Sequence, residues 1–105
     1  MQEKLEKIRL AVKKGNIFYR QHAVEMMIER EINRADVLKG IYKGEIIEEY
    51  TDDKPFPSCL LCFLSQDTNL HVVLAYDEQE DIVFIITVYI PDLKHFEEDF
   101  KTRRK

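Results

Sequence analysis

Residues 70–90, LHVVLAYDEQEDIVFIITVYI, decide how this chain is read. Two nearly continuous apolar runs flank the polar DEQED, and both are rich in the β-branched and aromatic residues that suit a pleated sheet. A short turn around residues 78–80 joins them as an antiparallel hairpin. Side chains alternate along a strand, so His71, Val73 and Ala75 share one side, and Val83, Ile85, Thr87 and Tyr89 share another. With Asp77 set opposite Asp81, His71 falls opposite Thr87, and Tyr89 lies one diagonal step away. An imidazole, a hydroxyl and a phenol then meet on one sheet surface, which is where chemistry is expected.

Upstream, the pattern turns helical. Residues 3–14 place Leu5, Ile8, Ala11 and Val12 at helical spacing and stop at Gly15 and Asn16. A second helix is predicted over 21–31. Asn33 caps a third, with Asp36 three residues later and an inner face of Val37, Leu38 and Ile41, ended by Gly44. Strands are predicted at 45–50, 59–64, 70–76 and 82–90, separated by the proline-containing loop 51–58 and a tight turn at 67–69. Pro91 and Asp92 end the last strand and open a short helix containing Phe96 and Phe100. Helices followed by strands imply an α+β fold: a helical layer on a four-stranded, mostly antiparallel sheet, in one domain over 1–105.

At 105 residues, 45% hydrophobic and 34% charged, the chain has the composition of a soluble globular domain. No apolar run approaches the ~18 residues needed to cross a bilayer, and the charged opening residues 1–14 do not read as a signal peptide. A cytoplasmic location with no membrane partner is therefore expected. Cys59 and Cys62 have a C-x-x-C spacing within a predicted strand, where a three-residue offset puts them on opposite faces or nearly so. A metal site would need two further ligands, so two reduced core thiols are expected, with no metal and no cofactor.

Charge is uneven. Residues 1–42 hold nine Lys/Arg and six Asp/Glu, a net of +3; residues 43–100 hold three and fourteen, a net of −11; residues 101–105 return +4. The total of −4 argues against non-specific binding to long polyanions, while leaving room for a local site made from the helical half and the basic tail.

On a helical wheel at ~100° per residue, Ala23, Met26, Met27 and Arg30 share a stripe, with His22 at its edge. Arg30 is thus expected inside the apolar face, either closed on carbonyls or on a carboxylate such as Glu48 or Glu49, or pointed over the sheet at a phosphate, which its planar fork suits. His22 either bonds a backbone carbonyl or joins a site. His71 is a core histidine or a catalytic one; Thr87 and Tyr89 have structural readings as strand and packing residues, and His95 reads as surface.

The run Tyr19-x-x-His22-Ala23-x-x-x-Met27-x-x-Arg30-x-Ile32, then Asp36-Val37, Gly44-Glu45-Ile46-Ile47-Glu48-x-Tyr50, Pro57-Ser58, Leu70-His71-Val72-Val73 and Ile86-Thr87-Val88-Tyr89-x-Pro91-Asp92 resembles a bacterial and archaeal family of small domains of unknown function. That family is similar in fold to the RelE-like and MqsR-like ribonuclease toxins, and its members are often encoded beside a small zinc-finger antitoxin. The resemblance implies a RelE-like toxin of a type II toxin–antitoxin pair, with RNA (mRNA on the ribosome included) and a cognate antitoxin as partners. It implies metal-independent endoribonuclease chemistry, in which a ribose 2′-hydroxyl attacks the adjacent phosphate. Carried over by residue, it gives His71, His22 and Tyr89 catalytic roles, Arg30, Arg103 and Arg104 phosphate-binding roles, and Thr87 a supporting one. The alternatives are a non-enzymatic interaction module binding a basic partner through the acidic strand edges, and an enzyme acting on a small nucleotide or RNA end.

Overall fold

The computed structural model describes residues 2–104; Met1 and Lys105, the latter counted above in the basic tail, lie outside them. The chain runs α1 (Gln2–Lys13), β1 (Ile17–Tyr19), α2 (Gln21–Glu29), α3 (Arg34–Lys43), β2 (Glu45–Tyr50), β3 (Ser58–Leu64), β4 (Asn69–Asp77) and β5 (Ile82–Tyr89). The fold is α+β, with the N-terminal helices on a sheet. The sheet has five strands where the sequence suggested four, in the order β1-β5-β4-β3-β2. The added strand is the three-residue β1, too short for alternation to register. It pairs parallel to β5, while the remaining pairings are antiparallel.

Local signals set the helices. After α1, Gly15 takes a left-handed φ of 87°, and the amides of Gly15 and Asn16 close on Val12 and Ala11 carbonyls, a glycine-terminated helix end. Asn33 is the expected N-cap of α3, and with Asp36 it forms a reciprocal capping box. All three helices cover one sheet face. Leu5, Ile8, Ala11 and Val12 of α1, Ala23 of α2, and Val37 and Ile41 of α3 pack on Leu61, Val72, Leu74, Val83, Ile85 and Val88. Gly40 lets α3 approach closely, since a Cβ there would stand 3.2 Å from Val72 Cγ2.

Three expectations need correcting. In the β4–β5 hairpin, Asp77 pairs with Ile82, not Asp81, and a bulge at Ile86 inserts one extra residue. Val83 and Ile85 therefore face the helices, while Thr87 and Tyr89 are carried to the opposite face. His71 comes to pair with Tyr89, and Thr87 pairs with Val73. Second, α2 stops at Glu29: Arg30 is its C-cap and Glu31 is left-handed (φ 55°). The wheel fails beyond that point, and Arg30 is exposed instead of lying in the apolar stripe. Third, residues 91–104 form turns instead of a helix and fold back over the helix-free face. Asp92 and Asp99 accept nearby backbone amides there, a local bonding that competes with helix formation.

Candidate functional site

The helix-free face carries His71 of β4, with Cys62 of β3 on one side and Tyr89 of β5 on the other. His71 is fully buried. Its Nε2 lies 2.6 Å from the carbonyl of Phe100. A carbonyl only accepts, so Nε2 carries the proton and donates. Nδ1 is then the lone-pair nitrogen and accepts from the Tyr89 hydroxyl at 3.1 Å. Phe96, also buried, meets the imidazole edge-on with ring centroids 4.6 Å apart. Burial lowers the His71 pKa, with the Phe100 bond pulling the other way and Arg103 lowering it further, so the ring is neutral at pH 7.

Segment 91–104 is fastened over this ring by charge pairs. Arg103 grips Glu48 of β2 with two bonds, Nε to Oε2 at 2.7 Å and Nη2 to Oε1 at 3.2 Å, the fork geometry that favours arginine. Its guanidinium also lies 5.0 Å over the Phe96 ring. Tyr50 donates to the same carboxylate, and Lys101 pairs with Glu45. Burial pulls the Glu48 carboxyl upward, but the bonds from Arg103 and Tyr50 outweigh it and hold it below the usual range. Burial also raises the Tyr89 phenol, with Arg103 opposing. Phe100 supplies its carbonyl from a left-handed backbone (φ 57°), unusual for a bulky residue.

A cleft of about 310 Å³ opens beside this cluster, lined by Tyr89, Ile90, Asp92, His95, Phe96 and Arg103. His95 is exposed, and its Nδ1 lies 2.9 Å from Asp92 Oδ1. That contact orients the imidazole and leaves Nε2 toward the other side of the ring. A phenol backed by a buried imidazole, a second imidazole held by a carboxylate, and a guanidinium thus share one opening.

Three residues singled out in the sequence, His71, Tyr89 and Arg103, meet here. Thr87 lies on the same face, two residues before Tyr89 and half-buried beside Val73. Arg104 is turned back on its own segment, bonding the Leu93 carbonyl and Glu97. His22 lines a separate cleft with Arg20, Lys54 and Phe56. Arg30 stands at the far end of α2 from His22, eight residues and ~12 Å along the helix axis. Glu48, Tyr50, Asp92 and His95 were not picked out as site residues. Their signals were present: Glu48-x-Tyr50 alternates onto one face, and Asp92-x-x-His95 has the spacing of a capped turn.

Residues 19–90 match the model of a family described as a domain of unknown function, DUF4258. The chain belongs to that family. No curated protein and no solved structure matches it. In this DUF4258 chain, His71, Tyr89, Glu48 and Tyr50 lie inside the matched span, while Asp92, His95 and Arg103 lie beyond it. Among the described residues, no three His, Cys, Asp or Glu side chains are grouped to hold a metal ion, and no helix is long and apolar enough to cross a membrane. Cys59 faces the helices and Cys62 the opposite side; burial pushes their thiols up to about 12 and about 11.

Proposed function

We propose that this chain is a metal-independent endoribonuclease, the toxin of a toxin–antitoxin pair, and that the Tyr89–His95–Arg103 cleft is its reaction centre. The observation that carries the reading is the convergence on one cleft of two imidazole systems and a guanidinium. The motifs resemble a small-domain family that is itself similar in fold to RelE-like and MqsR-like toxins, whose active surface is a sheet face; that resemblance supports the reading, and a zinc-finger antitoxin is the partner it suggests.

The chemistry follows from the hydrogen-bond directions. Tyr89 donates to His71 Nδ1, so the phenol oxygen has lone pairs to accept a proton from a ribose 2′-hydroxyl. As it does so, its own proton passes to His71 Nδ1. The 2′-oxygen bonds to phosphorus, the bond from phosphorus to the 5′-oxygen breaks, and His95, as the general acid, gives an Nε2 proton to that oxygen. The products are a 2′,3′-cyclic phosphate and a 5′-hydroxyl; solvent returns the proton from His71 to His95. Arg103 carries the charge developing on the phosphoryl oxygens, exchanging part of its grip on Glu48 for the substrate.

A second reading is favoured by one observation: both His71 nitrogens and the Arg103 fork are already satisfied by protein groups. In it, the cluster only fastens segment 91–104, and the chain is an interaction module. Incubating RNA with the wild type, Tyr89→Phe, His95→Gln and Arg103→Met, with and without ribosomes, separates the two. The nuclease reading expects cyclic-phosphate ends from the wild type and rates lowered roughly 10²–10⁴-fold in the acid–base variants. Intact RNA from a folded wild type, together with unimpaired growth on expression, would leave the interaction module.

A further inference from the structure

We propose that the second cleft on the helix-free face, at the β1 end of the sheet, is a nucleotide-binding site that takes a base and its phosphate from single-stranded RNA. The cleft encloses about 520 Å³, within the range of small-molecule sites. Four separate stretches of chain build it: Arg20 and His22 at the start of α2, Lys54 and Phe56 from the loop before β3, and a floor of Ala75 from β4 and Ile86 from β5.

Its chemistry is that of a nucleotide. Phe56 lies parallel to Phe84, with ring centroids 5.6 Å apart and planes 1° from parallel, so one aromatic side chain of the lining is held flat by another. The Arg20 guanidinium sits 5.0 Å over Phe84, beside that stack. Bases stack on such rings whatever their identity, and adjacent cations hold the phosphate.

The cations are available. Among the described residues, neither Arg20 nor Lys54 has a carboxylate partner, whereas Lys101, Arg103 and Arg104 at the other end of the face are all in ion pairs. The lining carboxylate, Asp53, accepts from the Ser58 hydroxyl instead. In a chain of net charge −4, two cations beside an aromatic side chain suit one nucleotide, its ring on the aromatic face and its phosphate on the cations. An acidic peptide would engage the cations but leave the ring unused.

This deepens the ribonuclease reading, on which the identity of the polymer rests. Ile86 is three residues from Tyr89 along β5, ~10 Å, so an oligonucleotide seated in this cleft passes the other one.

The test is an amide NMR titration of the full chain with adenosine 5′-monophosphate, adenosine and inorganic phosphate as separate ligands. The monophosphate is expected to shift the amides of Arg20, His22, Phe56 and Ala75, and the other two to bind about tenfold more weakly or worse. Phe56→Leu, and Arg20→Ala with Lys54→Ala, each weaken binding about tenfold while the rest of the spectrum is retained. Silence at those amides overturns the proposal, as does phosphate or a polyglutamate peptide binding as well as the monophosphate. An oligonucleotide held in the cleft but left intact supports the site and removes the nuclease; cleavage with unchanged KM in the Arg20→Ala, Lys54→Ala variant removes the site alone.

Discussion

Tyr89 stands directly opposite His71 across the β4–β5 pair, its hydroxyl 3.1 Å from Nδ1, because Ile86 is one residue more than the partner strand has. Without that bulge, Thr87 and Tyr89 would continue the parity of Val83 and Ile85 and face the helices. The bulge lets one strand contribute to the apolar core at one end and to the polar cluster at the other.

His71→Leu is expected to destabilise the fold by roughly 2–6 kcal/mol, from ~1–3 kcal/mol for each polar group left without its partner, here the Phe100 carbonyl and the Tyr89 hydroxyl. Urea unfolding measures it. A change within experimental error would mean that segment 91–104 is not held through this ring.

The same histidine makes stability depend on pH. Its pKa is lowered in the fold from an ordinary value of 6.5, so below that pH the unfolded chain takes up a proton that the folded chain refuses. The contribution is complete above pH 6.5 and is lost as pH falls from there through the folded-state pKa. Unfolding curves for the wild type should weaken before the carboxylates begin to titrate, and those for His71→Leu should not. Parallel pH profiles would show that another group controls this window.

Arg103→Met is expected to loosen segment 91–104 more than it lowers global stability. The Arg103 side chain is half exposed (52%), and solvent-exposed pairs contribute only about 0.2–1 kcal/mol. Hydrogen exchange should quicken at the amides of Glu97 and Arg104, which bond within the segment, and not at those of β4. Glu48→Gln should reproduce the effect, and the double variant should add little to either.

Much of this was legible in the sequence, for identifiable reasons. The α+β order of elements, the Asn33 N-cap and the strand positions follow from local periodicity and turn chemistry, which act over a few residues. His71 and Tyr89 were found because a polar ring in an apolar strand is conspicuous. What escaped reading depends on pairing between distant segments. The Ile86 bulge has no local marker in IVFIITVY, β1 is defined by its parallel partner, and His95 becomes interesting only where segment 91–104 folds back over the sheet. Arg30 failed for a different reason: a wheel assumes the helix continues, and α2 ends one residue earlier.

That placement yields a sharp test, because the motif resemblance gives Arg30 a phosphate-binding role and the geometry does not. Arg30 is the exposed C-cap of α2, at the opposite end of the helix from the His22 cleft and in no contact with His71, Tyr89 or Arg103. Arg30→Ala should alter stability by less than ~0.5 kcal/mol, because the side chain is exposed and the capping bonds are made by the backbone N–H, which alanine keeps. It should leave RNA cleavage at the wild-type rate under conditions where Arg103→Met abolishes it. Should the folded Arg30→Ala protein lose cleavage while Arg103→Met keeps it, the reaction centre would lie on the α2 side of the sheet, and the roles assigned to Tyr89 and His95 would fall with it.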